Sequence, residues 1–133
     1  MPKRILVVDD EAEFCELLQF RLLLHDYEVI TASTGYEALD KAGSEIPDLI
    51  LLDLLLPDLD GLTVCGILRR QISTRATPVI LITAVTTAAT QTAAREAGAC
   101  GFLGKPLDFK ELKRLIAIAL APSQGDLGSP VVC

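Results

Sequence analysis

The sequence predicts an α/β domain built on a doubly wound, parallel five-stranded sheet. Three observations lead there. Short apolar runs and helical patterns alternate five times along the chain. The runs 5–8, 49–52 and 79–82 are apolar throughout and rich in branched residues, as in strands buried on both faces. Finally, strands that alternate with helices pair in parallel through right-handed crossovers.

Residues 5–8 form the first strand, and 11–25 read as a helix with Phe14, Leu17, Leu18, Leu22 and Leu24 near helical spacing. Residues 27–32 read as the second strand. Thr34 and Gly35 open a helix through 42, where Gly43 is expected to stop it. Pro47 and Asp48 lead into the third strand, 49–52. Pro57 marks a loop, and Asp60-Gly61 starts a helix through 71; Gly66 inside it costs about 1 kcal/mol relative to alanine. Pro78 opens the fourth strand, 79–82. A threonine-rich helix follows over 86–97, ended by Gly98; the stretch 84–94 carries no charge, so it lacks salt-bridge support and reads either as a marginal helix with a small-residue surface or as a mobile element and partner surface. Residues 100–103 form a short fifth strand. Asp108 caps the last helix, with Glu111 three residues on and Phe109, Leu112, Leu115, Ile116 and Ala119 on one face. Beyond 121 the pattern collapses into prolines, glycines and serines. The expected organisation is therefore one domain over 1–121 and a flexible C-terminal tail or linker over 122–133.

A chain of 133 residues that is 50% hydrophobic supports one domain with its own core. Its 12 basic and 18 acidic residues leave a formal charge of -6. Such a domain has no long-range attraction for nucleic acid or an anionic membrane, so neither is an expected partner. No apolar segment is long enough to span a bilayer. The basic start, 1–4, is followed by an apolar stretch that ends at Asp9, too short for a signal peptide, and a cytoplasmic protein is expected. Cys15, Cys65, Cys100 and Cys133 are scattered without paired metal-ligand spacing, and free thiols are expected. His25 is the only histidine, which excludes a multi-histidine metal site.

The chemistry lies at the strand ends. Asp9 and Asp10 close the first strand, Asp53 the third, Thr83 the fourth, and Lys105 follows the fifth. Parallel sheets of this kind place their sites outside the carboxyl ends of the strands. Carboxylates crowded there would raise one another's pKa, and a hard cation removes that conflict. Mg²⁺ takes oxygen ligands, commonly one or two carboxylates with a phosphate. Helix capping by Asp9 or Asp10 accounts for one of them but not both, and leaves Asp53 unexplained. Lys105 alone would be an ordinary solvated charge and Thr83 an ordinary strand residue. Sharing one edge, they offer a positive charge and a hydroxyl to a phosphate.

The motifs Asp9-Asp10-Glu11, Asp53-Leu54-Leu55-Leu56-Pro57, Thr83-Ala84 and Phe102-Leu103-Gly104-Lys105-Pro106, in that order, resemble the receiver domain of bacterial two-component response regulators. The resemblance runs from about residue 3 to 120. It implies a flavodoxin-like (βα)5 fold with strand order 2-1-3-4-5. It implies Asp53 as phospho-acceptor, and Asp9, Asp10, Asp53 and the Leu55 carbonyl around Mg²⁺, with Mn²⁺ as a substitute. Thr83, Ala84 and Lys105 take the phosphate-binding positions, Thr83 and Phe102 the switch positions, and the peptide before Pro106 is usually cis. The implied partners are a sensor histidine kinase or phosphotransfer protein, an output domain or downstream protein, and a second copy in a phosphorylation-dependent homodimer. Ala99, Cys100 and Gly101 replace an acidic pair found in many DNA-binding relatives, so their charge-laced dimer interface is not implied. Leu55 is apolar where many relatives are polar, and it is expected to hinder an attacking water and lengthen the phosphoryl lifetime.

Two other functions fit parts of the pattern. A haloacid-dehalogenase-type phosphatase also uses an Asp nucleophile with Mg²⁺, but it needs a second acid where this chain has Leu55. A phosphorylation-independent interaction module predicts missing site residues, and here all are present. The resemblance implies a signalling domain that catalyses only its own phosphotransfer and dephosphorylation.

Overall fold

A computed structural model describes residues 2–122. Five strands alternate with five helices: β1 (Arg4–Val8), α1 (Ala12–Leu24), β2 (Glu28–Ala32), α2 (Gly35–Glu45), β3 (Leu49–Leu52), α3 (Gly61–Arg70), β4 (Val79–Thr83), α4 (Ala88–Glu96), β5 (Gly101–Gly104) and α5 (Phe109–Leu120). All neighbouring strands are parallel, in the order β2-β1-β3-β4-β5. Fold class, element sequence and strand order are those the sequence implied. The expected tail, 122–133, lies outside the described residues apart from Pro122.

Strand alternation divides the core in two. Leu6, Val8, Ile50, Leu52, Val79 and Leu81 pack with Ala38, Ala42, Val64, Leu68 and Ala94 from α2, α3 and α4. Ile5, Val7, Leu49, Leu51, Ile80 and Ile82 pack with Leu18, Leu22, Leu112 and Ile116 from α1 and α5. Each valine, leucine or isoleucine among them contributes about 1.5–3 kcal/mol on burial. The inner strands β3 and β4 are buried throughout, which explains why their sequences show no alternation. Helix α1 is less regular than its leucines suggest. Leu18 and Leu22 face the sheet, whereas Leu17 and Leu24 lie off that stripe and are exposed.

Two helix boundaries differ from expectation for physical reasons. Helix α2 runs through Gly43 to Glu45 and ends at Ile46, in the left-handed conformation (φ 48°). Glycine weakens a helix interior without ending it; Pro47, which cannot continue the helix, follows the true end. Helix α4 starts at Ala88 rather than 86, because Thr87 is the cap and accepts a bond from the Thr90 N–H. Cys15 and Cys65 are free thiols as expected. Cys100 is disulfide-bonded, which corrects that expectation: spacing along a chain does not report which sulfurs meet in space.

Two glycines make opposite demands. A Cβ at Gly43 would meet nothing within 4 Å, whereas one at Gly61 would lie 2.5 Å from the Asp53 carbonyl oxygen and 2.7 Å from Leu54 Cα. Gly61 therefore lets α3 approach the backbone that carries Asp53. Urea unfolding should show Gly43→Ala more stable by roughly 1 kcal/mol. Gly61→Ala should be less stable by about 1–3 kcal/mol, because the clash is with backbone. Equal effects at the two positions would refute this account.

Candidate functional site

The sheet ladder continues one residue past three strands and pins the site's backbone. The Asp9 N–H bonds the Ala32 carbonyl (3.1 Å), the Asp53 N–H the Val8 carbonyl (3.0 Å), and the Lys105 N–H the Thr83 carbonyl (2.9 Å). Thr83 is itself the last residue of β4 and pairs with Gly104. The apolar strands thus deliver Asp9, Asp10, Asp53, Thr83 and Lys105 to one edge.

There the side chains meet. Carboxylate oxygens of Asp9, Asp10 and Asp53 lie within 4.8 Å of one another, a grouping able to hold a metal ion. Asp9 is 1% exposed and Asp53 6%, while Asp10 faces solvent. Lys105 Nζ lies 2.8 Å from Asp9 Oδ2, 2.9 Å from Glu11 Oε1 and 3.2 Å from Asp53 Oδ2. It also sits 4.3 Å from the centre of the Phe14 ring. Backbone donors complete the nest: Glu11 N–H to Asp9 Oδ1 (2.9 Å) and Leu55 N–H to Asp53 Oδ1 (3.1 Å).

Burial pushes the Asp9 carboxyl above its ordinary range, opposed by the Lys105 and Glu11 bonds and reinforced by the charge of Asp53. Lys105 is also pushed up: desolvation works against its charge, but Asp9, Glu11 and Asp53 outweigh it. The ammonium therefore stays charged, and Asp9 keeps an incompletely offset penalty. Cys15 donates its thiol to the Asp9 carbonyl, and burial followed by the Asp9 charge pushes its pKa up to about 11. It is a protonated packing residue.

The remaining expected residues occupy a second tier. Thr83 is fully buried, and its hydroxyl accepts from the Val85 N–H at 3.2 Å. Phe102 is half-buried on β5 and packs on the core beneath α2, α3 and α4. Leu55 is exposed beside Asp53. The peptide between Lys105 and Pro106 is cis.

Sequence reasoning missed Glu11, which it absorbed as the start of a helix, and Asp58. The Asp58 carboxylate accepts from the N–H groups of Gly35 (2.7 Å) and Tyr36 (2.9 Å) at the start of α2. Desolvation opposes this, but those bonds hold its pKa below the usual range. An acid capping a helix that precedes it by more than twenty residues leaves no local motif; only the run of acids after Val8 hinted at Glu11.

A sequence model described as response regulator receiver domain matches residues 5–117. The chain belongs to this family. The chain is 43% identical over 124 residues to the alkaline phosphatase synthesis transcriptional regulatory protein PhoP of Bacillus subtilis, covering 93% of this chain and 51% of that protein. It is 45% identical over 108 residues to the response regulator PleD of Caulobacter vibrioides, covering 81% and 24%. The chain therefore spans about half or less of these relatives. Among solved structures, TrrA of Thermotoga maritima, in complex with Mg²⁺-BeF, superposes with a TM-score of 0.80 at 38% identity, covering 89% of this chain and 99% of that one. The chemotaxis protein CheY4 of Vibrio cholerae gives 0.85 at 29%, covering 90% and 100%. As a receiver domain, the chain is a phosphorylation-activated switch of two-component signalling. Among the described residues no helix is long and apolar enough to cross a membrane.

Removing the ammonium from the receiver site should expose the cost of its carboxylates. Lys105→Met should lower stability at pH 7 by roughly 2–4 kcal/mol. Asp9 has a raised folded-state pKa, so its ionisation penalty is absent below its unfolded value, near 3.8, and grows as pH rises through the folded value. The loss in Lys105→Met should therefore shrink as pH falls toward 4. Urea midpoints across that range check it, and a loss independent of pH would refute it.

Proposed function

We propose that Asp53 is the phospho-acceptor and that Asp9, Asp10, Asp53 and the Leu55 carbonyl hold Mg²⁺, with Mn²⁺ able to replace it. The observation that carries this reading is the convergence of the three carboxylates with Lys105 bridging two of them. The donor set, all oxygen with one carboxylate facing solvent, suits a hard cation that keeps waters. When bound, that cation supplies neutralisation of charge on phosphoryl oxygens.

Asp53 Oδ attacks phosphorus in line, the bond from phosphorus to the donor's leaving atom breaks, and the product is an acyl phosphate. The donor is a phosphohistidine of a sensor kinase or phosphotransfer protein, or a small acyl phosphate. Lys105 offsets negative charge on the phosphoryl group, and the Ala84 backbone and the Thr83 hydroxyl bond its oxygens. To do so, Thr83 turns from its Val85 partner, and Phe102 repacks toward the space it leaves. The result is a shift between two packings that an output domain or downstream protein reads. On this reading the domain catalyses only its own phosphorylation and dephosphorylation, works in the cytoplasm, and comprises residues 1–121 with 122–133 as tail or linker.

Incubation with Mg²⁺ and acetyl phosphate should add one phosphoryl group by intact mass, and Asp53→Asn should add none. A labelled Asp53→Asn protein would sink the assignment. Leu55 exposes an apolar side chain where water must approach, so Leu55→Asn, which can orient a water, should shorten the acyl phosphate lifetime severalfold. An equal or longer lifetime in that variant would remove this role for Leu55.

A further inference from the structure

We propose that Glu11 is a positioning residue for this chemistry: its carboxylate tethers the Lys105 ammonium and releases it when Lys105 engages a phosphoryl group. The inference rests on the reading of Asp53 and Lys105 above.

Two observations carry it. Glu11 occupies the N-cap of α1, a position that favours short side chains able to turn back onto the first N–H groups. It makes no such bond. Its Oε1 instead lies 2.9 Å from Lys105 Nζ, joining residues 94 positions apart. Secondly, an ammonium has three donors, and Asp9, Glu11 and Asp53 engage all of them. A phosphoryl group presents three equatorial oxygens, so it competes for more than one of those donors.

The three acceptors differ in how readily they let go. Asp9 is 1% exposed, and a buried carboxylate stripped of its cation is strongly disfavoured. Asp53 is the reacting group, so its contact changes with the reaction in any case. The Glu11 side chain is 65% exposed and returns to water with little loss. Glu11 is therefore the acceptor that yields, and its hold on Lys105 weakens phosphoryl binding.

The test compares wild type with Glu11→Ala and Glu11→Asp by NMR titration with beryllofluoride at saturating Mg²⁺. Alanine removes both charge and contact. Aspartate keeps the charge but is one methylene shorter, and as a favoured cap it draws the carboxylate back onto α1. Both variants should bind beryllofluoride about two- to fivefold more tightly than wild type, the range set by an exposed ion pair. Glu11→Asp should also unfold at a higher temperature, whereas a purely capping role would leave its affinity unmoved. Tightening in Glu11→Ala alone would mean that rim charge acts without a tether and would overturn the proposal, as would unchanged or weaker binding in both. A wild type that fails to bind beryllofluoride would bring down the assignment of Asp53 and Lys105 itself, a failure distinct from the others.

Discussion

The structure turns on one ammonium among carboxylates at the C-terminal edge of the sheet. Two like charges about 4 Å apart repel by roughly 4 kcal/mol at an effective dielectric near 20. Asp9 and Asp53 are nearly buried, so solvent relieves little of this. Lys105 offsets it by bonding both. Its strand, β5, is two places from β3, a separation of roughly 9–10 Å at ordinary strand spacing. A long side chain is needed to cross β4, and the Phe14 ring gives its charged end a face to rest on.

The rest of the fold holds that contact in register. Because β1, β3 and β4 are filled with aliphatic residues, sliding any of them by one position would exchange two whole core faces. The site inherits this rigidity through ladder bonds to Asp9, Asp53 and Lys105. The loop after Asp53 is fixed separately: Gly61 N–H bonds the Leu54 carbonyl at 2.7 Å, and Asp58 caps α2. Both contacts hold the segment that carries Leu55, so the proposed carbonyl ligand would be preorganised rather than recruited.

Most of the architecture was legible because it follows from local periodicity: apolar runs gave the strands, and Asp60 and Asp108 announced their helices as caps. The convergence of Asp9, Asp10, Asp53 and Lys105 was legible because parallel strands bring like ends together. Contacts between distant segments were hidden. Nothing near Cys100 told of its disulfide, and the partners of Asp58 precede it by an entire strand and helix; at the end of α2 the signal was local, but Gly43 was weighted over Pro47. Helix α1 misled because its leucines surround the axis, so periodicity could not choose the buried stripe.

A graded exposure runs through the site and bears on how a signal could leave it. Glu11 and Asp10 face solvent, Asp53 is almost covered, and Asp9 and Thr83 are buried. On the proposed reading, a donor and a cation would enter from the wet side, while the buried side could only repack. Thr83 holds a neutral bond to the Val85 N–H, worth about 1 kcal/mol net. A bond from its hydroxyl to a charged phosphoryl oxygen is worth roughly twice that. The difference, about 1 kcal/mol, moves an equilibrium roughly fivefold. A switch built this way changes populations without unfolding anything, provided that Phe102, half-buried beside the same core, can occupy either packing. Moving the populations from 1:99 to 99:1 takes about 5.5 kcal/mol, so on this reading the Thr83 bond supplies one part of the bias and the charge and packing changes around it supply the rest.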